Sequence, residues 1–233
     1  MSSLSRYARM AGALYIVASV FGVVSLMYIP NKLLVTGNAA LTAHHIAAHE
    51  TLFRFGILCD LIGGVLFIFV TLALYELLKG VNQRLAVVMV ILGSLMVTPL
   101  FFVNTVNYAG ALLFARGADF LSVFDQPQRE AMVLLFVRLH HQLTLANEVF
   151  WGLWLIPFGL LVYRSRFLPR ILGLWLILGC FGYLALSFSG MMFPQYEDKL
   201  FPIAQPLMLG EVAIMLWLVI AGAKEKRLAN AAA

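Results

Sequence analysis

Long apolar runs recur along the whole chain, and short polar segments separate them. The runs cover about residues 11–29, 57–78, 85–114, 142–163, 171–193 and 204–223. Each approaches or exceeds the roughly 20 residues that an α-helix needs to cross a hydrocarbon core. A transmembrane barrel would instead need short strands of alternating polarity. The pattern therefore predicts one all-α domain over residues 1–233, a bundle of six transmembrane helices.

Composition strengthens this prediction. The chain has 233 residues, of which 62% are hydrophobic and 12% charged. A soluble domain of this length could not cover its surface with so few polar groups. The formal net charge of +5 would suggest nucleic acid as a partner of a soluble protein. Here the cations lie in short loops between apolar runs, so we expect no nucleic-acid partner.

The loop charges predict an orientation. Cations are concentrated on the side of the two termini, at Arg6, Arg9, Lys79, Arg84, Arg164, Arg166, Arg170, Lys224, Lys226 and Arg227. The opposite loops hold Lys32, Arg116, Arg129 and Lys199, mixed with acids. By the positive-inside rule, both termini are expected to be cytoplasmic.

One stretch, AHHIAAHETLFRFGILCD at residues 43–60, is unusually rich in polar side chains. We expect it to form one helical run that continues without a break into the second span. At about 1.5 Å of rise per residue, polar groups of four spans lie at similar heights in the outer half of the membrane. The sequence therefore predicts a polar cavity that opens to the outside.

Histidines in this stretch suggest a metal site. His45 and His49 are four residues apart, a spacing that suits chelation, and Asp60 returns to nearly the same face. His141 and Glu148, seven apart on the fourth helix, would complete a zinc or iron site that activates water. Haem held by one histidine from each helix is a weaker alternative. On straight helices, however, the first two histidines stand about 10 Å or more above His141.

Carboxylates within the spans carry a second hypothesis. A charge near the centre of a membrane helix costs about 2.5–3.5 kcal/mol, so such groups pair or line water. Glu50 and Arg54 are spaced to bridge each other, whereas Asp60, Glu148 and Glu211 have no partner nearby in sequence. These three either belong to an ion-pair network that fixes helix register, or one of them acts as acid, base or proton carrier.

Four stretches also carry a family resemblance. They are ARMAGALY (8–15), ETLFRFGI with the following Asp60-Leu61 (50–61), LYELLKGVN (74–82) and YRSRFLPRILG (163–173). In these stretches the chain resembles the bacterial integral membrane family known as domain of unknown function 4386. The resemblance implies a six-helix protein of the bacterial plasma membrane. It implies no activity, substrate or catalytic residue.

The function expected first is the binding or transport of a small or amphiphilic ligand, linked to a proton. The cavity would be lined by Glu50, Arg54, Asp60, Asn104, His141, Glu148 and Glu211. One alternative is a metal-assisted intramembrane hydrolase at the outer leaflet, so the sequence leaves open whether the protein is an enzyme. Another is a non-catalytic partner or sensor subunit. Expected partners are membrane lipids, the ligand and a second copy of the chain, and the arginines of residues 164–170 could hold lipid phosphates.

Overall fold

A computed structural model describes residues 3–223 of the chain, and the expected tail cations Lys224, Lys226 and Arg227 lie outside them. The α-helices are α1 (Ser3–Val23), α2 (Ile29–Leu33), α3 (Ala39–Ala48), α4 (Glu50–Leu78), α5 (Gln83–Val90), α6 (Val97–Arg116), α7 (Gln126–Leu153), α8 (Leu155–Ser165), α9 (Arg170–Met192) and α10 (Glu197–Ile220). Two π-helical turns (Val24–Tyr28, Ile91–Leu95) and two short 3₁₀ turns (Asp119–Leu121, Pro194–Tyr196) occur between them.

Six helical segments are long and apolar enough to cross a membrane within the described chain. They are Leu4–Leu33, Glu50–Leu78, Gln83–Arg116, Gln126–Ser165, Arg170–Met192 and Pro194–Ile220. No strand occurs between residues 3 and 223. The all-α class and the multi-pass membrane architecture are therefore confirmed. The last segment begins earlier than expected, because residues from Glu197 onward are helical where the sequence predicted a loop up to Pro202.

Proline explains two of the interruptions in the long spans. Proline has no N–H to donate to the carbonyl four residues earlier, and its ring collides with that carbonyl. The π-helical turn in the third span ends at Leu95, four residues before Pro99. Helix α7 ends at Leu153, four residues before Pro157. Each of these two interruptions thus falls on the turn that precedes its proline.

The unbroken helical run expected from residue 43 into the second span is wrong. Helix α3 ends at Ala48, and His49 adopts φ −119° and ψ 41° before α4 begins at Glu50. His49 N–H still donates to the His45 carbonyl at 2.9 Å, so the bend leaves that backbone donor bonded. Helix α3 buries Ile46 in the same core as Phe53 of α4, and α4 runs on as a span. His45 and His49 consequently do not share the face of one straight helix.

The helices group into two compact units. Unit 1 comprises residues 3–17, 66–97 and 145–223, and unit 2 comprises residues 18–65 and 98–144. The expectation of a single domain stays a prediction. The core of unit 2 is apolar and aromatic, and its buried members are Ile29, Leu33, Ala43, Ile46, Phe53, Tyr108, Ala111, Leu112 and Val133.

Unit 1 depends on close backbone contact between α8 and α9. Gly159 and Gly173 face each other so closely that a Cβ on either would lie 2.5 Å from the carbonyl oxygen of the other. Helices in lipid gain little from hydrophobic association, so they rely on such close packing of small residues. The two glycines therefore set the distance between these helices.

Gly159→Ala is expected to destabilise the protein by about 1–3 kcal/mol, because the new methyl group forces the two backbones apart. Thermal unfolding in detergent measures the loss. Gly22→Ala is the matched control, since a Cβ there meets nothing within 4 Å. That change should leave stability unchanged or raise it by up to about 1 kcal/mol. Equal losses in both variants would contradict the role of the close contact.

Candidate functional site

A buried carboxylate and a buried imidazole meet inside unit 2. Asp60 on α4 is 2% exposed and His140 on α7 is 4% exposed. The imidazole Nε2 lies 3.4 Å from the Asp60 Oδ2, at the long end of the hydrogen-bond range. The two residues are 80 positions apart in sequence, so only the packing of α4 against α7 brings them together.

Aromatic rings hold the imidazole in place. The Tyr108 ring on α6 stacks on His140 with 3.5 Å between the ring centroids and 3° between the ring planes. Phe53 contacts the Tyr108 ring at a centroid distance of 4.9 Å. Phe53 and Asp60 are seven residues apart and therefore share one face of α4. One face of α4 thus supplies both the carboxylate and a ring that supports the stack.

An amide network fixes the backbone beside His140. The Asn104 Nδ2 donates to the His140 carbonyl at 3.0 Å and lies 3.2 Å from the Thr144 Oγ1. Asn107 in turn donates to the Asn104 Oδ1 at 3.0 Å. Asparagine side chains commonly join membrane helices in this way. Here they attach α6 to the turn of α7 that carries the histidine.

The Asp60 carboxylate is only half satisfied. Its Oδ1 is buried and has no hydrogen-bond partner in the described part of the chain. Other titratable groups beside the pair are the Tyr108 hydroxyl and the adjacent Cys59 thiol, both on buried residues. Buried polar atoms are nearly always bonded, and an orphaned one calls for an explanation. This oxygen can accept a proton or a hydrogen bond.

The expected bridge between Glu50 and Arg54 is confirmed, with 2.7 Å between the guanidinium Nε and the carboxylate. Arg116, at the end of α6, joins the other carboxylate oxygen at 3.1 Å. These side chains are roughly one-third to one-half exposed, and surface bridges of this kind contribute about 0–1 kcal/mol. The trio ties the first turn of α4 to the last turn of α6. Spacing along the sequence did not predict the contact of Arg116 with Glu50.

Unit 1 contains a second buried carboxylate site. Glu211 on α10 accepts hydrogen bonds from the Tyr183 hydroxyl, at 2.7 Å, and from the Tyr15 hydroxyl. The Tyr15 ring packs edge to face against Trp154. Glu148, on α7, keeps a buried Oε2 without a hydrogen-bond partner among residues 3–223. The sequence had selected both glutamates, but the two tyrosines that serve Glu211 carried no signal in it.

The chain matches the family described as Domain of unknown function (DUF4386) over residues 10–222. The match covers nearly the whole chain. The protein belongs to the DUF4386 family. Neither the curated proteins nor the solved structures give a match. The residues of the site itself therefore carry the evidence for the function of this DUF4386 protein.

The histidine that pairs with Asp60 is His140, whereas the sequence led us to expect His141 in the site. His141 lies on an exposed face of α7. His140 is seven residues after the buried Val133 and seven before the buried Asn147, so all three share a face. This seven-residue spacing of buried positions is a signal for His140 in the sequence. Using it requires knowing which face of α7 points inward.

The proposed metal ligands do not form a cluster in this DUF4386 protein. His49 is exposed, and the ring of His45 lies 6.1 Å from that of His44 between centroids. Within residues 3–223 no group of three or more His, Cys, Asp or Glu side chains is placed so that it could hold a metal ion. Zinc and iron therefore stay predictions without a set of three ligands among these residues, and haem also stays a prediction.

His140→Phe is expected to lower the free energy of unfolding by about 1–3 kcal/mol, because it leaves both Asp60 oxygens buried and unpaired. Thermal unfolding in detergent tests this change. Gln142→Phe is the control at an exposed position two residues along the same helix, where substitutions usually change stability by about 0.5 kcal/mol or less. If the two variants unfold alike, the buried pair does not contribute to stability.

Proposed function

We propose that this protein binds or transports a small or amphiphilic ligand, and that the Asp60–His140 pair takes up and releases a proton in step with the ligand. The observation that carries the proposal is the burial of this pair within two membrane spans, while one Asp60 oxygen has no hydrogen-bond partner among residues 3–223. Ionisable residues inside membrane spans commonly mark proton or substrate pathways.

The net charge of the pair explains why it is suited to take up a proton. With Asp60 ionised and His140 neutral, the pair carries one negative charge. One added proton makes the pair neutral overall, whichever of the two side chains holds it. In a buried site of low dielectric, such a change in net charge alters the electrostatic free energy strongly. A ligand that favours one of the two charge states would therefore exchange a proton when it binds.

The surroundings of the pair also support this proposal. A proton-exchanging pair needs its groups held in fixed geometry by packing and by a supporting shell of hydrogen bonds. The Tyr108 ring and the Asn104 amide provide both for His140. Glu148 in unit 1, with its own buried unpaired oxygen, is a further carboxylate for the same chemistry.

The main competing function is that of a non-catalytic partner or sensor subunit, in which the pair only fixes helix register. Buried polar pairs serve that purpose in some proteins. The metal-assisted hydrolase is not favoured by any arrangement among residues 3–223. For location, we propose the bacterial plasma membrane with both termini in the cytoplasm, on the asymmetry of the loop cations.

Infrared difference spectroscopy between about pH 5 and about pH 8 on protein in lipid bilayers tests proton exchange directly, over the range in which histidine commonly titrates. We expect carboxyl and imidazole bands that Asp60→Asn removes. Glu50→Gln is the control, because it alters an exposed bridging carboxylate and should leave those bands in place. An unchanged spectrum in Asp60→Asn would establish the pair as a packing contact instead.

A thermal-shift screen of small amphiphilic compounds tests the coupling to a ligand. A compound at a hundred times its Kd stabilises the folded protein by about 2.7 kcal/mol. For a proton-linked ligand, that stabilisation should vary with pH in the unaltered protein and lose its pH dependence in Asp60→Asn. The same pH dependence in both proteins would separate ligand binding from the pair.

A further inference from the structure

The cationic end of unit 1 is where the six spans of the described chain begin or end. Leu4, Gln83 and Arg170 begin the first, third and fifth spans, and Leu78, Ser165 and Ile220 end the second, fourth and sixth. Cations crowd this end: Arg6, Arg9, Lys79, Arg84, Arg164, Arg166 and Arg170. Among the described residues here, Glu76 is the one acid. A strongly positive surface thus lies where the spans leave the hydrocarbon.

A pocket of about 530 Å³ lies within this end. Leu4, Leu77, Val81 and Phe167 give it apolar walls. Lys79 and Arg164 supply cations beside those walls, together with the Glu76 carboxylate. A ligand that fits this lining has an anionic group joined to an apolar body.

The two pocket cations differ in their availability. The Lys79 Nζ lies 2.6 Å from the Glu76 carboxylate, and this hydrogen bond raises the pKa of the lysine, which stays charged. Lys79 and Glu76 largely cancel each other. Arg164 has no acidic partner among residues 3–223. The net positive charge of the pocket therefore comes from the Arg164 guanidinium, which is open to an anion.

The turn after α8 is built to a fixed geometry. The Ser165 hydroxyl donates to the Val162 carbonyl at 2.8 Å and accepts from the Leu168 N–H at 3.2 Å. Arg166 then adopts φ 62°, a left-handed conformation that favours glycine. An exposed arginine at such a position adds positive charge beside the pocket despite an unfavourable backbone. Arg170, farther on, lies over the Tyr163 ring at 5.5 Å.

We propose that this pocket binds the headgroup of an anionic glycerophospholipid, with Arg164 as the ligand of the phosphate. A guanidinium can hold a phosphate through two parallel hydrogen bonds, which an ammonium cannot do. Free phosphate shares this chemistry. The apolar walls and the position at the span ends favour the lipid, because they match the glycerol and first acyl carbons beneath a headgroup. This site is separate from the Asp60–His140 pair and does not depend on the function proposed for it.

Delipidated protein in neutral detergent provides the test, with unfolding temperature as the readout. Phosphatidylglycerol should stabilise the protein in a saturable way, and phosphatidylcholine or inorganic phosphate at the same concentration should not. Arg164→Gln should weaken the apparent affinity for phosphatidylglycerol about tenfold or more. Arg164→Lys keeps the charge without the planar fork, so it should fall between the two.

Arg84→Gln is the matched control, since it removes the same charge from the same end but lies outside the pocket. An equal loss of affinity in Arg84→Gln would mean diffuse attraction to charge and would overturn the site. Equal protection by inorganic phosphate would make it a site for free phosphate. No preference for phosphatidylglycerol over phosphatidylcholine would remove the anion site altogether. If Arg164→Gln does not fold, Arg164→Lys compared with Arg84→Lys decides between the same outcomes.

Discussion

Every backbone N–H and C=O within the hydrocarbon must find a partner in the protein, because lipid offers none. This constraint makes each span helical, and it decides how each span can be interrupted. Proline removes a donor, and the turn ahead of Pro99 widens into a π-helical turn while the helix ahead of Pro157 ends and restarts. At His49 the chain bends between two helices, yet the N–H of His49 stays bonded to His45. The helices are not straight at these interruptions, but the backbone groups stay hydrogen-bonded.

The same constraint divides the polar side chains of the spans into two kinds. Asn104 uses its amide fully within unit 2, and Glu211 is served by two tyrosine hydroxyls in unit 1. Such side chains hold helices together, and their polar atoms have hydrogen-bond partners. Asp60 and Glu148 each keep a buried oxygen without a partner among the described residues. An unsatisfied buried acceptor costs stability, so these two carboxylates are where chemistry is to be sought.

Charged side chains have different surroundings in the two units. At the cationic end of unit 1, arginines and lysines are exposed, and their cost is low because they remain near water and headgroups. Inside unit 2, a single carboxylate needs an imidazole, a stacked ring and an amide network around it. The first arrangement suits recognition of an anionic surface group, and the second suits exchange of one proton. Each arrangement occupies its own unit.

Much of the fold could be predicted from the sequence, because length and polarity are properties of each segment by itself. The six spans and the all-α class follow from the length of the apolar runs, and the local Glu50–Arg54 bridge follows from spacing along one helix. The choice of His140 over His141 does not. Neighbouring residues on a helix point about 100° apart, and which of them faces inward depends on how α7 packs against α4 and α6. Helix packing likewise brings Arg116 to Glu50 in unit 2, and Tyr15 and Tyr183 to Glu211 in unit 1, across distances in sequence that no local pattern records. Sequence alone determined the elements and their polarity, whereas only the tertiary structure decided which polar groups meet, because that depends on the rotation of each helix about its own axis.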